Sequence, residues 1–192
     1  MTLPPLILAS ASPRRAELLR EMGVRFQVLP SRAEEVHHAH MTAGELSQIN
    51  AGRKARRLAE KFPDAVVLGA DTLVYLDTTL FGKPASLGAA RAMLAQLQGR
   101  THQVVTGVCL YHWRRRRCRI FAESTTVTFR PLTAGQIGRY LARINPLDKA
   151  GAYAIQEHGE LIVATISGSF SNVVGLPMER LRVELTEWFK AR

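Results

Sequence analysis

Cysteine occurs only twice in the 192 residues, at Cys109 and Cys118, which excludes a disulfide framework and a cysteine-built structural zinc site. Both thiols are expected to be reduced. Aromatic residues make up 7% of the chain, and no run approaches the roughly 18 consecutive apolar residues that a membrane span needs. The chain also lacks a G-x-x-x-x-G-K-[ST] loop and a G-x-S-x-G elbow, which argues against a P-loop NTPase and a serine hydrolase. Repeats, low-complexity tracts and Gly/Ser linkers are missing as well, so one domain over residues 1–192 is expected. What is present is 46% apolar and 22% charged residues, the balance of a folded soluble domain.

The charge is one-sided, at +10 with a pI near 10.4, which suits polyanionic ligands. Arginine supplies most of it, and lysine occurs only five times. A single basic block, Arg114–Arg117 with Arg119 nearby, falls between two strand-like runs. Solvated charge is ordinary at such a hairpin tip and discourages edge pairing. The pattern favours a small polyphosphate over nucleic acid, although a basic nucleic-acid-binding module without turnover stands as the alternative. Leu6–Ala11 resembles the end of a signal peptide, but two prolines and no basic residue precede it, so a cytoplasmic chain is expected.

The order of elements reads as α/β. Strands are expected at Leu6–Ala9, Arg25–Leu29 and Ala65–Gly69, with extended chain again over Leu73–Leu76. Helix starts are marked by Pro13 after Ser12, by Thr42 with Glu45, by Ser86, by Thr133 and by Pro177. The first four of these helices are expected to reach about Met22, Phe62, Gly99 and Ile144, and Pro177 opens the last. Two long β-runs, His102–His112 and Cys118–Phe129, place Cys109 and Cys118 near one another across the Trp113–Arg117 connection. Tyr153–Ile166 reads as a hairpin turning at Gly159. A mixed sheet with helices packed around it fits this order.

Four loop segments concentrate reactive side chains. Ser10–Arg15 joins a strand to a helix N-terminus, where free N–H groups, hydroxyls and arginine forks suit phosphate oxygens. Gly69–Thr72 is expected to present Asp71 from a strand end, and Glu34-Glu35 add further carboxylates. Gly82-Lys83-Pro84 and Asp148–Gln156 hold Lys83 and Lys149, while Lys54 lies on the Thr42-capped helix. Lysine ammonium groups neutralise phosphate without demanding planar geometry. Carboxylates with Lys and Arg describe a Mg²⁺–polyphosphate site, whereas His37, His38 and His40 lack a zinc-ligand spacing.

Taken together, S-x-S-P-R-R at Ser10–Arg15, Glu34-Glu35, Lys54-Ala55, Gly69–Thr72, Gly82–Pro84, Asp148–Gln156 and Val174–Pro177 resemble the Maf family of nucleoside triphosphate pyrophosphatases. The resemblance implies an α/β fold with an elongated mixed β-sheet flanked by helices, two lobes around a central cleft, and a homodimer. It implies hydrolysis of a triphosphate to the monophosphate and pyrophosphate, with Mg²⁺ or Mn²⁺ as cofactor, and a part in clearing non-standard nucleotides or in cell-division arrest. Asp71 matches the family's proton acceptor, and also a metal position with Glu35. Ser10, Arg15, Lys54, Lys83 and Lys149 match phosphate-contacting positions, with Lys54 and Lys83 assigned to catalysis. Arg14, Thr72 and Gln156 match the specificity positions, and this set resembles the branch acting on dTTP and UTP. Two departures stand out: Asn50 precedes Ala51 where an apolar residue is usual, and Ala154 replaces a common glycine.

Overall fold

The computed structural model describes residues 4–36 and 40–190, so His37 and His38 lie outside the described residues. The element order is β1 (Leu6–Leu8), α1 (Pro13–Glu21), β2 (Phe26–Val28), α2 (Ala43–Ala59), β3 (Val66–Leu76), β4 (Thr79–Phe81) and α3 (Leu87–Leu97). It continues with β5 (Thr101–His112), β6 (Arg117–Phe129), α4 (Ala134–Leu141), β7 (Val163–Ser167), α5 (Phe170–Val174) and α6 (Met178–Lys190). The seven strands form one mixed sheet in the order β2-β1-β3-β5-β6-β7, with β4 paired to β3. Two compact units share these strands, because β3, β5 and β6 each give one half to either unit.

The first unit comprises the chain up to Asp71, Thr106–Glu123 and the segment from Gly175 onward. Strand β1 runs parallel to both neighbours, Leu6 standing opposite Phe26 and Val66. Parallel strands buried on both faces need apolar side chains at every position, which explains the unbroken run Leu6-Ile7-Leu8. Its alternation divides the core. Leu6 and Leu8 pack with Ala16, Leu19, Leu181 and Leu185, whereas Ile7 and Ala9 pack with Ala51, Ala55 and Val67. Helix α2 therefore covers one face, and α1 with α6 the other.

The second unit comprises Thr72–Val105 and Ser124–Val174. Its core gathers Val74, Leu76, Leu94, Leu97, Val127, Phe129, Tyr140 and Ile162 between the strands and helices α3 and α4. Strand β7 pairs antiparallel with β6, Ser167 opposite Thr126, with an irregularity at Thr128/Phe129. The expected hairpin over Tyr153–Ile166 does not form. The Tyr140 hydroxyl donates to the Ala154 carbonyl and accepts from the Ala154 N–H, so neither group is available to a ladder. Left-handed backbone at Gly151, Ala152 and His158 turns the chain instead into short 3₁₀ turns.

All four expected serine and threonine caps are present, with reciprocal capping boxes at Thr42/Glu45 and Thr133/Gln136. Helices α2 and α4 stop at Ala59 and Leu141, short of the expected Phe62 and Ile144. The arginine block turns at 113–116, with Arg116 left-handed. There Arg114 pairs with Asp64, and Arg117 lies 4.1 Å from the centre of the Trp188 ring. Cys109 and Cys118 are free thiols whose sulfurs stand 3.8 Å apart. Among the described residues, no helix is long and apolar enough to cross a membrane.

Candidate active site

Asp71 sits in the middle of a strand rather than at its end, a correction to the sequence expectation. Strand β3 runs on without a break from Val66 to Leu76, and Asp71 is almost completely buried, at 4% exposure. The small residues Gly69 and Ala70 do not terminate the strand; Gly69 admits a helix. A Cβ built on Gly69 would overlap the Ala51 carbonyl oxygen and lie 2.8 Å from the Ala55 nitrogen. Gly107 on β5 plays the same part, since a Cβ there would overlap the Ser47 carbonyl group. The backbone of α2 thus rests almost directly on the sheet. Val67, Gly69 and Asp71 share the face beneath it, two residues apart along the strand.

This close approach lowers Lys54 onto Asp71. The Lys54 ammonium lies 2.6 Å from Asp71 Oδ1 and 2.6 Å from Glu35 Oε1. Asp71 Oδ2 accepts a hydrogen bond from Asn50 Nδ2 at 3.1 Å. Glu35 belongs to a segment without regular structure, and α2 clasps it: Arg53 Nε donates to the Glu34 carbonyl at 3.1 Å. Asn50 Oδ1 accepts from the Val36 N–H at 2.8 Å, and Asn50 Nδ2 donates to the Val36 carbonyl at 3.3 Å. Positions 50, 53 and 54 are one helical turn apart, so a single face of α2 makes every one of these contacts.

The turn from β1 into α1 carries the second group. Ser12 is the N-cap, its hydroxyl accepting from the Arg15 N–H at 3.5 Å. The Ser10 hydroxyl accepts from the Ser12 N–H at 3.2 Å and from Arg15 Nη1 at 3.3 Å. Arg15 Nε also donates to the Gly175 carbonyl at 2.8 Å, which holds the guanidinium at the helix start. Burial lowers the Arg15 pKa from its ordinary value, against the charge-favouring fields of Asp71 and Glu35. Arg14, on the same turn, is half-buried. In the first unit the fold therefore brings together Asp71, Lys54 and Glu35, and separately Ser10 and Arg15.

The second unit holds the other expected residues. Thr72 follows Asp71 on β3 with its side chain on the opposite face, by strand alternation. Lys83 is exposed in the loop after β4, and the Gly82 carbonyl accepts from the Gly151 N–H at 3.1 Å, tying that loop to the Lys149 segment. Lys149 is buried, and its ammonium donates to the Asn145 carbonyl at 2.7 Å and to Asp148 at 2.9 Å, with Glu157 at 3.4 Å. Gln156 is exposed on the turn that follows. Tyr153 anchors this segment beside His102, its hydroxyl 2.9 Å from His102 Nε2.

Two carboxylates sharing one ammonium make a donor set that fits Mg²⁺ or Mn²⁺, which bind through one or two carboxylates and complete their shells with phosphate and water. Among the described residues there is no cluster of three His, Cys, Asp or Glu side chains that would suit zinc.

Comparison with known proteins settles the family. A family model described as Maf-like protein matches residues 5–188. The chain belongs to the Maf family. A relative from Moorella thermoacetica, named dTTP/UTP pyrophosphatase, is 50% identical over 173 residues, covering 90% of this chain and 89% of its own. A relative of the same name from Symbiobacterium thermophilum is 47% identical over 184 residues, covering 95% and 93%. In architecture, the chain is similar to a HAM1 protein from Coxiella burnetii, at a TM-score of 0.52 and 14% identity, over 96% of this chain and 100% of that one.

Asn50 stands out in the sequence only as a departure from the Maf pattern, with no role attached to it. The sequence marks it only as a polar residue among apolar neighbours on the lysine-bearing helix. The structure shows it touching both Asp71 and the Glu35 segment. The signal available was an amide at a usually apolar position one helical turn before a site lysine.

Proposed function

We propose that this chain hydrolyses nucleoside triphosphates, dTTP and UTP foremost, to the monophosphate and pyrophosphate. The observation that carries the reading is the Asp71–Lys54–Glu35 cluster, built on a buried Asp71–Lys54 pair, in a chain half identical to a dTTP/UTP pyrophosphatase. Water attacks the α-phosphorus, a new P–O bond forms, and the bond to the bridging α–β oxygen breaks, releasing pyrophosphate. Asp71 accepts the proton of the attacking water. Lys54 lies against that carboxylate and offsets negative charge on the phosphoryl group as it develops.

Glu35 and Asp71 would hold a Mg²⁺ or Mn²⁺ ion, which when bound supplies charge neutralisation at the phosphates. Ser10, Arg15 and the N–H groups opening α1 bind phosphate oxygens, as helix N-termini do. Lys83 and Lys149 contribute further positive charge to the triphosphate. Arg14, Thr72 and Gln156 set the base preference, since glutamine offers a donor beside an acceptor to the pyrimidine edge. We further propose one catalytic domain over the whole chain, working as a cytoplasmic homodimer on a small-molecule substrate, with no nucleic-acid partner.

The test is incubation of the purified protein with a panel of triphosphates and Mg²⁺ or Mn²⁺, assayed separately for pyrophosphate and orthophosphate. Pyrophosphate with the nucleoside monophosphate is expected, dTTP and UTP leading. Orthophosphate with a diphosphate product overturns the reading, and steeply salt-dependent DNA or RNA binding without turnover favours the alternative module.

A further inference from the structure

We infer that Asn50 is a positioning residue for this reaction, its carboxamide setting the Asp71 carboxylate and the Glu35-bearing segment in one frame. The inference rests on the pyrophosphatase reading. Asn50 is 1% exposed, on a helix face it shares with Leu46, Ser47, Ala51, Ala55 and Leu58. A buried amide without partners is strongly unfavourable, so its bonds define what it does there. Both of its N–H donors and one lone pair of its oxygen are used. Oδ1 accepts from the Val36 N–H at 2.8 Å, and Nδ2 donates to the Val36 carbonyl at 3.3 Å and to Asp71 Oδ2 at 3.1 Å.

The two bonds to Val36 substitute for the strand pairing that residues 31–36 lack. They hold the backbone immediately after Glu35, while Arg53 holds the carbonyl immediately before it. The third bond has a different consequence. Lys54 takes Asp71 Oδ1 and Asn50 takes Oδ2, so both carboxylate oxygens are held from one helix, four residues apart. A carboxylate held at both oxygens cannot swing about its terminal torsion, which is otherwise broad. Its lone pairs then keep a constant direction toward the water it must deprotonate. Leucine would fill a similar volume while removing all three bonds. Aspartate would keep the acceptor for the Val36 N–H, remove the donors to Asp71 and to the Val36 carbonyl, and set a second carboxylate against Asp71.

The experiment compares wild type, Asn50→Leu and Asn50→Asp, with dTTP and UTP as substrates. It reads kcat and KM separately, the thermal midpoint, and hydrogen exchange at the Val36 amide. Both variants are expected to lose about 10- to 100-fold in kcat, the range seen when a group that orients a site residue is removed. KM is expected to stay within about threefold, because the phosphate-binding side chains are untouched. Val36 should exchange faster in Asn50→Leu and remain protected in Asn50→Asp. The aspartate variant keeps the bond to the Val36 N–H while losing the contact to Asp71, and it also serves if the leucine variant does not fold. Wild-type turnover with undiminished kcat in the folded variants overturns the role of Asn50 alone. No turnover by wild type on the whole panel overturns the pyrophosphatase reading, and the positioning role with it.

Discussion

Lys54 and Asp71, 17 residues apart in sequence, meet at 2.6 Å with both side chains nearly out of solvent, at 13% and 6% exposure. Removing one member of such a pair leaves an uncompensated buried charge, which is far more harmful than losing an exposed ion pair. The same ammonium reaches Glu35, so one cation orders two carboxylates from different segments.

Replacing Asp71 by Asn keeps the volume and removes the proton acceptor. Turnover is expected to fall by about 100-fold or more, the scale of a positioned acid–base group. Circular dichroism should show the fold retained. Near-wild-type pyrophosphate release from a folded Asp71→Asn protein would take Asp71 out of the mechanism.

Gly69→Ala tests the approach of α2 to β3. The added methyl would overlap the Ala51 carbonyl, backbone that cannot rotate away. A destabilisation of about 1–3 kcal/mol or more is expected from overpacking, measured by denaturant unfolding. Because the helix must shift outward, Lys54 and Asn50 retreat from Asp71, so kcat should fall even where the protein stays folded. Unchanged stability and turnover would contradict the close packing.

Gln156→Glu tests base reading. The 4-keto oxygen and N3–H of thymine or uracil present an acceptor beside a donor, which an amide matches and a carboxylate does not. A lost hydrogen bond of this kind costs about 1–3 kcal/mol, so kcat/KM for dTTP and UTP should drop about 10- to 100-fold. Measurement across dTTP, UTP, CTP, GTP and 7-methyl-GTP gives the ranking. A ranking identical to wild type would show that Gln156 does not read the base.

His102 makes stability depend on pH in the second unit. Burial lowers its pKa from 6.5 to about 4, and the imidazole is 2% exposed, packed edge-on against Phe129. The unfolded chain takes up the proton first, so His102 favours folding fully above pH 6.5, and that contribution is lost as pH falls toward 4. Between pH 7 and 5 the loss amounts to about 2 kcal/mol. Urea denaturation of wild type and His102→Gln at both values should show a shallower pH dependence in the variant; equal dependence would clear His102.

Much of this was legible from local signals. Ser12, Thr42, Ser86 and Thr133 announced their helices, because a cap acts on N–H groups within three residues of itself. The unbroken apolar runs at Leu6 and Val66 announced strands, which the structure pairs in parallel. Tyr153–Ile166 misled, since Gly159 read as the turn of a hairpin while a hydroxyl from α4 takes the Ala154 backbone. Gly69 misled as well: small residues followed by Asp read as the end of a strand, and only the α2 backbone packed on it shows it to be a seat for a helix.

The sequence alone determined the α/β order, the caps and the motifs that place the chain in its family, all of which depend on residues a few positions apart. Only the tertiary structure decided which carboxylates share the Lys54 ammonium and that Asn50 joins them. Those contacts span separations of 14 to 21 residues, and local propensity has no means of encoding such distances. They depend on how closely a helix can lie on a sheet, and here the missing side chain of Gly69 sets that distance.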